Sequence, residues 1–268
     1  MPLESLLTPV TLSVGFLAAI LIGVSKTGVP GVGLFSCLLM ISAFRGREMF
    51  ASGAVVPLLI LGDIAAVKFY RKDCDVRLLK RLCPPVVFGL LLGGVILCFM
   101  KNSQFKLTVG ILASSILIFE FIRKKLGWTQ ISTSKPFRIG CGVLAGLTTV
   151  LGNAAGAVSA AYFSSQNLDK KKFMGTNAVF FFLVNVSKIP LMLAVTQIKT
   201  LLGFDADDAQ IMNATTFLLT LIFAPGIILG GYLGRQFYKM IPEKVFVPFI
   251  LVVNFITAIY IVISAVIS

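Results

Sequence analysis

The chain contains no histidine, and its five cysteines form no CxxC pair. Histidine is the most frequent acid–base group near neutral pH and a frequent zinc ligand, and closely paired cysteines mark disulfide frameworks and zinc sites. Charged residues are also scarce, at 13% of the 268 positions. The sequence therefore excludes a histidine-dependent enzyme, indicates no zinc site or disulfide scaffold, and predicts no catalytic residue and no cofactor.

Hydrophobic residues, by contrast, make up 57% of the chain, and the mean hydropathy is +0.96. This far exceeds the needs of a soluble core and predicts an all-α polytopic membrane protein. The net charge of +13 comes from lysines and arginines that sit mostly in short loops between apolar runs. Such a pattern is typical of membrane topology, so we expect the lipid bilayer and not nucleic acid as the partner. Monomer and homodimer both stay open.

About ten apolar segments are long enough to cross or enter a hydrocarbon core of ~30 Å. In chain order they are 9–24, 31–44, 50–68, 84–100, 107–122, 139–151, 157–164, 173–195, 212–233 and 245–267. The first two of each five are short, which predicts a broken or re-entrant hairpin, with two complete spans as the alternative. The longest polar stretch, Arg123 to Arg138, predicts a cytoplasmic linker over 127–137.

The loops on the two sides of this topology differ in basic residues. Seventeen lysines and arginines fall on one side and five on the other. By the positive-inside rule the first side is cytoplasmic, and both termini lie outside. Because five segments are an odd number, the second half enters the membrane from the opposite side, and Gly15 to Ala18 is similar to Gly142 to Ala145. The sequence therefore predicts two inverted repeats, 1–126 and 138–268.

Each predicted repeat contains a polar, glycine-containing stretch at membrane depth, from Gly23 to Gly33 and, as a weaker copy, from Leu151 to Gly156. In transporters built from inverted repeats such stretches meet near the midplane, where the substrate binds. Helix N-termini at that place favour an anion. The candidate binding residues here are Ser25, Lys26, Thr27, Gly28, Gly152, Asn153, Ala154, Ala155 and Gly156.

Lys26 lies deep in an apolar run, where a lysine costs ~2.5 to 3.5 kcal/mol and needs a partner. That partner is either a bound oxyanion or Asp63, and Asp63 is also a candidate to carry a coupling proton. Asn177, Asn185 and Lys188 fall on roughly one helical face and complete the predicted substrate site. The alternative for these side chains is polar packing between helices.

Several of these runs are similar to a known family. Residues 23–33, 142–156, 173–178 and 180–190 resemble the two repeat signatures of the sulfite exporter TauE/SafE family. The resemblance implies an inner-membrane carrier of bacteria that moves sulfite, sulfoacetate or another organosulfonate, generally outward. Many members carry a glycine cluster where this chain has Ser25, Lys26 and Thr27.

Other functions compete with a secondary transporter that works by alternating access. An anion channel or an importer of the same substrates would use the same residues. A membrane-embedded lipid phosphatase is the third alternative, but it needs a general acid or base and usually an arginine at membrane depth. The sequence has no histidine, and its apolar runs contain no arginine and no paired carboxylates, so an enzyme is not expected.

Overall fold

Helices form almost all of the described chain. The computed structural model describes residues 7–30, 32–44, 46–105, 107–109, 111–112, 115, 134–246, 248–250 and 252, and none of these residues is in a strand. The predicted all-α class is confirmed for this part of the chain. A helix satisfies its own backbone hydrogen bonds, which a segment surrounded by hydrocarbon requires.

Nine α-helices carry labels below. They are α1 Pro9–Thr27, α2 Val32–Ala43, α3 Glu48–Tyr70, α4 Val76–Cys98, α5 Lys135–Gly152, α6 Ala155–Ser164, α7 Lys170–Leu201, α8 Ala206–Ala209 and α9 Ala214–Met240. Side chains that accept a hydrogen bond from the first turn fix where five of the long helices begin. These N-caps are Thr8, Asp75, Ser134, Asp169 and Asn213.

Within the described residues, five segments are long and apolar enough to cross a bilayer. They are Pro9–Thr27, Glu48–Asp73, Val76–Cys98, Lys170–Leu201 and Ala214–Met240. Large apolar side chains stand exposed on α4 and α9, for example Phe88 at 61%, Leu221 at 71% and Ile228 at 69%. Surfaces of this kind contact lipid, so the chain is a multi-pass membrane protein.

The first segment of each predicted repeat is longer than the sequence indicated. The helix α1 runs through Ser25, Lys26 and Thr27 to a length of roughly 28 Å, enough for the hydrocarbon core. Thr27 is able to stay helical because its hydroxyl donates to the carbonyls of Gly23 and Gly231. The helices α2 and α6 are only roughly 18 and 15 Å long, so they are too short to cross.

Three later helices also extend beyond their predicted bounds, and one of them is α9, which ends at Met240 instead of residue 233. The helix α4 begins at Val76 instead of residue 84, and α7 spans the 32 residues from Lys170 to Leu201 without ending at Pro190. Near its end, the fully buried Lys199 donates to the carbonyls of Met100 and Leu97. The basic and polar ends of these segments are thus helical, although the sequence predicted loops there.

Close glycine contacts join the two halves of the chain. The helix α1 packs along α9, where a Cβ on Gly23 or Gly230 would overlap the backbone of the facing helix. The helices α4 and α5 pack in the same way, through Gly89 and Gly146. Small residues of this kind let membrane helices approach closely.

This pairing is reciprocal. The first segment of each half packs against the fourth segment of the other half, and α3 packs against α7. Such an exchange agrees with two equivalent halves, but the inverted repeat over 1–126 and 138–268 stays a prediction.

The segments 107–122 and 245–267 lie largely outside the described residues, as does most of the linker over 127–137. Its last three residues belong to α5, which begins at Lys135.

Candidate functional site

Two interruptions of the helices meet beside one cavity. The first interruption separates Thr27, where α1 ends, from Val32, where α2 begins. The second separates α5 from α6 at Asn153, whose backbone is left-handed with a φ of 54°. Asparagine tolerates this conformation better than most residues, and it ends α5 there. The short helices α2 and α6 therefore both start beside this cavity.

The cavity between these interruptions has a volume of about 50 Å³. Roughly 10 to 15 Å³ of this kind of volume holds one water, so the space suits a few waters or one small anion. Both halves of the chain contribute to its wall. The lining residues are Ser25, Lys26, Pro30, Gly33, Leu34, Cys37, Leu59, Thr149, Asn153, Gly156, Asn177, Phe181 and Asn185.

Lys26 forms an ion pair at this cavity. Its Nζ lies 2.8 Å from Oδ1 of Asp63, and the two side chains are 10% and 0% exposed. The pairing with Asp63 that the sequence offered as one alternative is thus observed. Gly62 makes it possible, because a Cβ at that position would lie 2.9 Å from Cγ of Lys26. The ammonium also lies 4.5 Å from the ring centre of Phe181.

A second lysine, behind the cavity, bonds to three residues of the second half of the chain. Lys188 is fully buried, and its Nζ donates to Oδ1 of Asn153, to Oδ1 of Asn185 at 3.2 Å and to Oγ1 of Thr149 at 3.3 Å. The amide of Asn185 in turn donates to Oδ2 of Asp63 at 2.6 Å. One ion pair and two hydrogen bonds therefore connect Lys26, Asp63, Asn185 and Lys188 in a row.

The charges in this row of bonded residues do not balance. It contains two lysines and one carboxylate, and no other acidic residue lines the cavity among the described residues. With all three groups ionised, the site carries one positive charge in a region that is poorly solvated. A bound anion would supply the missing negative charge, a monoanion if Asp63 stays ionised and a dianion if Asp63 is protonated, and a buried charge needs such compensation.

Six of the predicted binding residues line the cavity, and the other predicted residues fall into two groups. The lining residues are Ser25, Lys26, Asn153, Gly156, Asn177 and Asn185. Asp63 and Lys188 lie outside the wall but contact the lining side chains directly. The structure thus brings residues from α1, α3, α6 and α7, and Asn153 from the turn between α5 and α6, into one cluster.

Five predicted residues lie elsewhere. Thr27 and Gly28 face α9, where Thr27 bonds to the carbonyl of Gly231 and a Cβ on Gly28 would overlap Gly234. Gly152 packs beside Val109. Ala154 and Ala155 are buried at the start of α6 and do not line the cavity.

Several residues of the site were missed by the sequence reasoning. Ser52 on α3 accepts hydrogen bonds from the amide of Asn153, at 3.0 Å to its hydroxyl and 3.3 Å to its carbonyl. Phe181 could have been found, because it lies four residues from both Asn177 and Asn185 and so shares their helical face. The remaining missed residues are Pro30, Gly33, Leu34, Cys37, Leu59 and Thr149.

A comparison with protein families gives a match over most of the chain. A family model described as Sulfite exporter TauE/SafE covers residues 13–261 of the 268. Comparison with curated proteins and with solved structures gives no match. The matched range contains every residue that lines the cavity.

Proposed function

Because the chain belongs to the TauE/SafE family of sulfite exporters, we propose that it is a secondary transporter of a small sulfur-containing anion. The expected substrates are sulfite, sulfoacetate or another organosulfonate. The expected direction is outward across the inner membrane of a bacterium, with the basic loops in the cytoplasm and both termini outside. An enzyme is not expected, since the family is one of transporters.

One observation carries this proposal: Lys26, which supplies the only ammonium that lines the cavity among the described residues, stands between the two halves of the chain at the starts of α2 and α6. The first N–H groups of a helix lack helical partners and carry a partial positive charge. Gly33 and Gly156 leave this backbone accessible to a ligand. An oxyanion fits such a site because its oxygens accept several hydrogen bonds at once.

The substrate and Asp63 compete for Lys26 in this proposal. When the anion binds the ammonium of Lys26, the carboxylate of Asp63 loses its counter-charge while staying buried. It then takes up one proton from the water that reaches the cavity, because a buried carboxylate without a partner is more stable when neutral. Release of the anion reverses both steps, so anion and proton movements are linked at Asp63.

The position of the site supports alternating access. Its residues come from α1, α2 and α3 in one half and from α5, α6 and α7 in the other. Movement of one group of helices against the other would expose the cavity to each side of the membrane in turn. Ser25, Asn153 and Asn177 would supply hydrogen bonds to the substrate, with Asn185 and Lys188 holding Asp63 and Asn153 in position.

Ligand-dependent thermal stabilisation of the purified protein tests the site. A ligand at a hundredfold excess over its Kd stabilises the folded state by about 2.7 kcal/mol. We expect one of sulfite, sulfate, sulfoacetate or taurine to raise the unfolding temperature of the wild type, with chloride as the reference anion. Lys26→Ala should lose this rise. Lys199→Ala is the matched control, since Lys199 is also fully buried but contacts the carbonyls of Met100 and Leu97.

Equal stabilisation of wild type and Lys26→Ala by the same anion would refute the role of Lys26. Flux into proteoliposomes then separates the transporter from its alternatives. A transporter gives saturable uptake that is accelerated by substrate on the opposite side. Flux through a channel does not saturate in this way and is not accelerated by substrate on the opposite side. The direction in which a proton gradient drives the anion separates an exporter from an importer.

A further inference from the structure

A groove on the outer surface lies between α3 and α9, separate from the substrate cavity. Its volume is about 450 Å³. Its floor is apolar, and it includes Leu61 and Ile64 on α3 together with Ile227 and Ile228 on α9. Ile64 and Ile228 are 52% and 69% exposed. Because both helices are candidate membrane spans, this floor faces acyl chains.

The groove changes from apolar to basic along its length, and both helices change in the same direction. On α3 the apolar residues precede Lys68, and on α9 they precede Arg235 and Lys239. The rise from Ile228 to Lys239 is roughly 16 Å, which is close to half of a ~30 Å hydrocarbon core. The groove therefore has the polarity and the length of one lipid leaflet.

The positive end of the groove has no acidic partner among the described residues. No carboxylate lines the groove, and Lys68, Arg235 and Lys239 form no ion pair within the described chain. The guanidinium of Arg235 lies 4.2 Å from the ring centre of Phe69, which orients it at the rim. Three cations thus stand together at the level where lipid headgroups are expected.

We propose that this groove binds one anionic phospholipid, with its phosphate at Lys68, Arg235 and Lys239 and an acyl chain along the apolar floor. Basic pockets between membrane helices bind such headgroups. A second copy of this chain is the other candidate to cover an apolar surface. Two copies meeting through the same face would bring two unneutralised basic clusters together, so the charge favours the lipid.

Native mass spectrometry of the purified full chain tests the binding. We use phosphatidylglycerol and phosphatidylcholine with identical acyl chains in equal amounts. Each basic residue contributes roughly fivefold at a membrane surface, so the wild type should prefer phosphatidylglycerol about a hundredfold. Arg235→Gln combined with Lys239→Gln should reduce this preference roughly 25-fold. Lys171→Gln combined with Lys172→Gln removes the same charge from the exposed start of α7 and should leave the preference for phosphatidylglycerol unchanged.

A second measurement leaves all three basic residues intact. In a Trp128→Phe background, which removes the one tryptophan of the sequence, Ile228→Trp places a fluorophore in the groove. Leu221→Trp places one at an equally exposed position on α9 outside it. A small fraction of brominated phosphatidylglycerol in phosphatidylcholine bilayers should quench position 228 more strongly than position 221.

Three results would overturn the proposal. The first is equal retention of both lipids by the wild type, and the second is an equal loss in both double variants, which would indicate an effect of net charge alone. The third is equal quenching at positions 228 and 221. A second copy of the chain that covers the groove and excludes the brominated lipid would give this result.

Discussion

The substitution Asp63→Asn tests whether Asp63 competes with the substrate for Lys26 or is itself part of the substrate-binding site. Asparagine keeps the shape of the side chain and removes the charge that faces Lys26 at 2.8 Å. With an effective dielectric constant of roughly 20, the attraction across this distance is about 6 kcal/mol before the cost of desolvation. Removal of one member of a buried pair costs about 3 to 5 kcal/mol, so the empty protein should become less stable.

The affinity for the anion should change in the opposite direction. In the wild type, the substrate has to displace Asp63 from Lys26, whereas in Asp63→Asn the ammonium has no competing charge. If only about 1.4 kcal/mol of the released attraction goes to the substrate, the Kd falls tenfold. Isothermal titration with the anion that stabilises the wild type measures this change. A folded Asp63→Asn protein that binds the anion equally or more weakly would refute the competition.

The same variant tests the proton linkage. Binding of the anion to the wild type in weakly buffered solution should raise the pH, by uptake of up to one proton per anion at Asp63. Asp63→Asn should bind without this uptake, and its transport should no longer respond to a pH gradient. Proton uptake that persists in the variant would place the titrating group elsewhere.

Three further substitutions give distinct expectations. Lys188→Met removes three hydrogen bonds to buried oxygen atoms and should destabilise the protein by about 1 to 3 kcal/mol, with weaker anion binding, as thermal unfolding and titration would measure. Gly62→Ala pushes against the stem of Lys26 and should weaken binding about tenfold, whereas Gly140→Ala, where a Cβ meets nothing within 4 Å, should not; equal effects would contradict the geometry. Thr27→Val should lower the unfolding temperature without changing the Kd, and Ser25→Ala should raise the Kd. A raised Kd in Thr27→Val with an unchanged Kd in Ser25→Ala would contradict a packing role for Thr27 and a binding role for Ser25.

Composition and hydrophobic pattern were sufficient for the class of protein and for most of its helices. The apolar runs predicted α2, α3 and α6 to within two residues, since any backbone in hydrocarbon has to be helical. The end of α9 and the bounds of α4 and α7 were wrong because charged residues at the ends of a membrane helix extend beyond the apolar core without ending the helix. Sequence hydropathy has no term for the N-caps Asp75 and Asp169, which fix where α4 and α7 begin.

The site was partly predictable for the same reason. A lysine and a carboxylate inside apolar runs are costly, so Lys26 and Asp63 could be singled out from the sequence alone. Asn177, Asn185 and Lys188 followed from helical spacing. Ser52 and Thr149 gave no such signal, because small hydroxyl residues are common in membrane helices and bond to their own backbone at little cost.

The sequence by itself determined that the chain is an all-helical membrane protein of the TauE/SafE family, and which buried charges it has to accommodate. Only the tertiary structure decided how these charges are arranged. Thr27 and Lys26 are neighbours in the chain, yet the turn of the helix directs Thr27 towards Gly231 and Lys26 towards Asp63. Contacts such as that between Asn185 and Asp63 join residues 122 positions apart, and they arise from packing of α3 against α7.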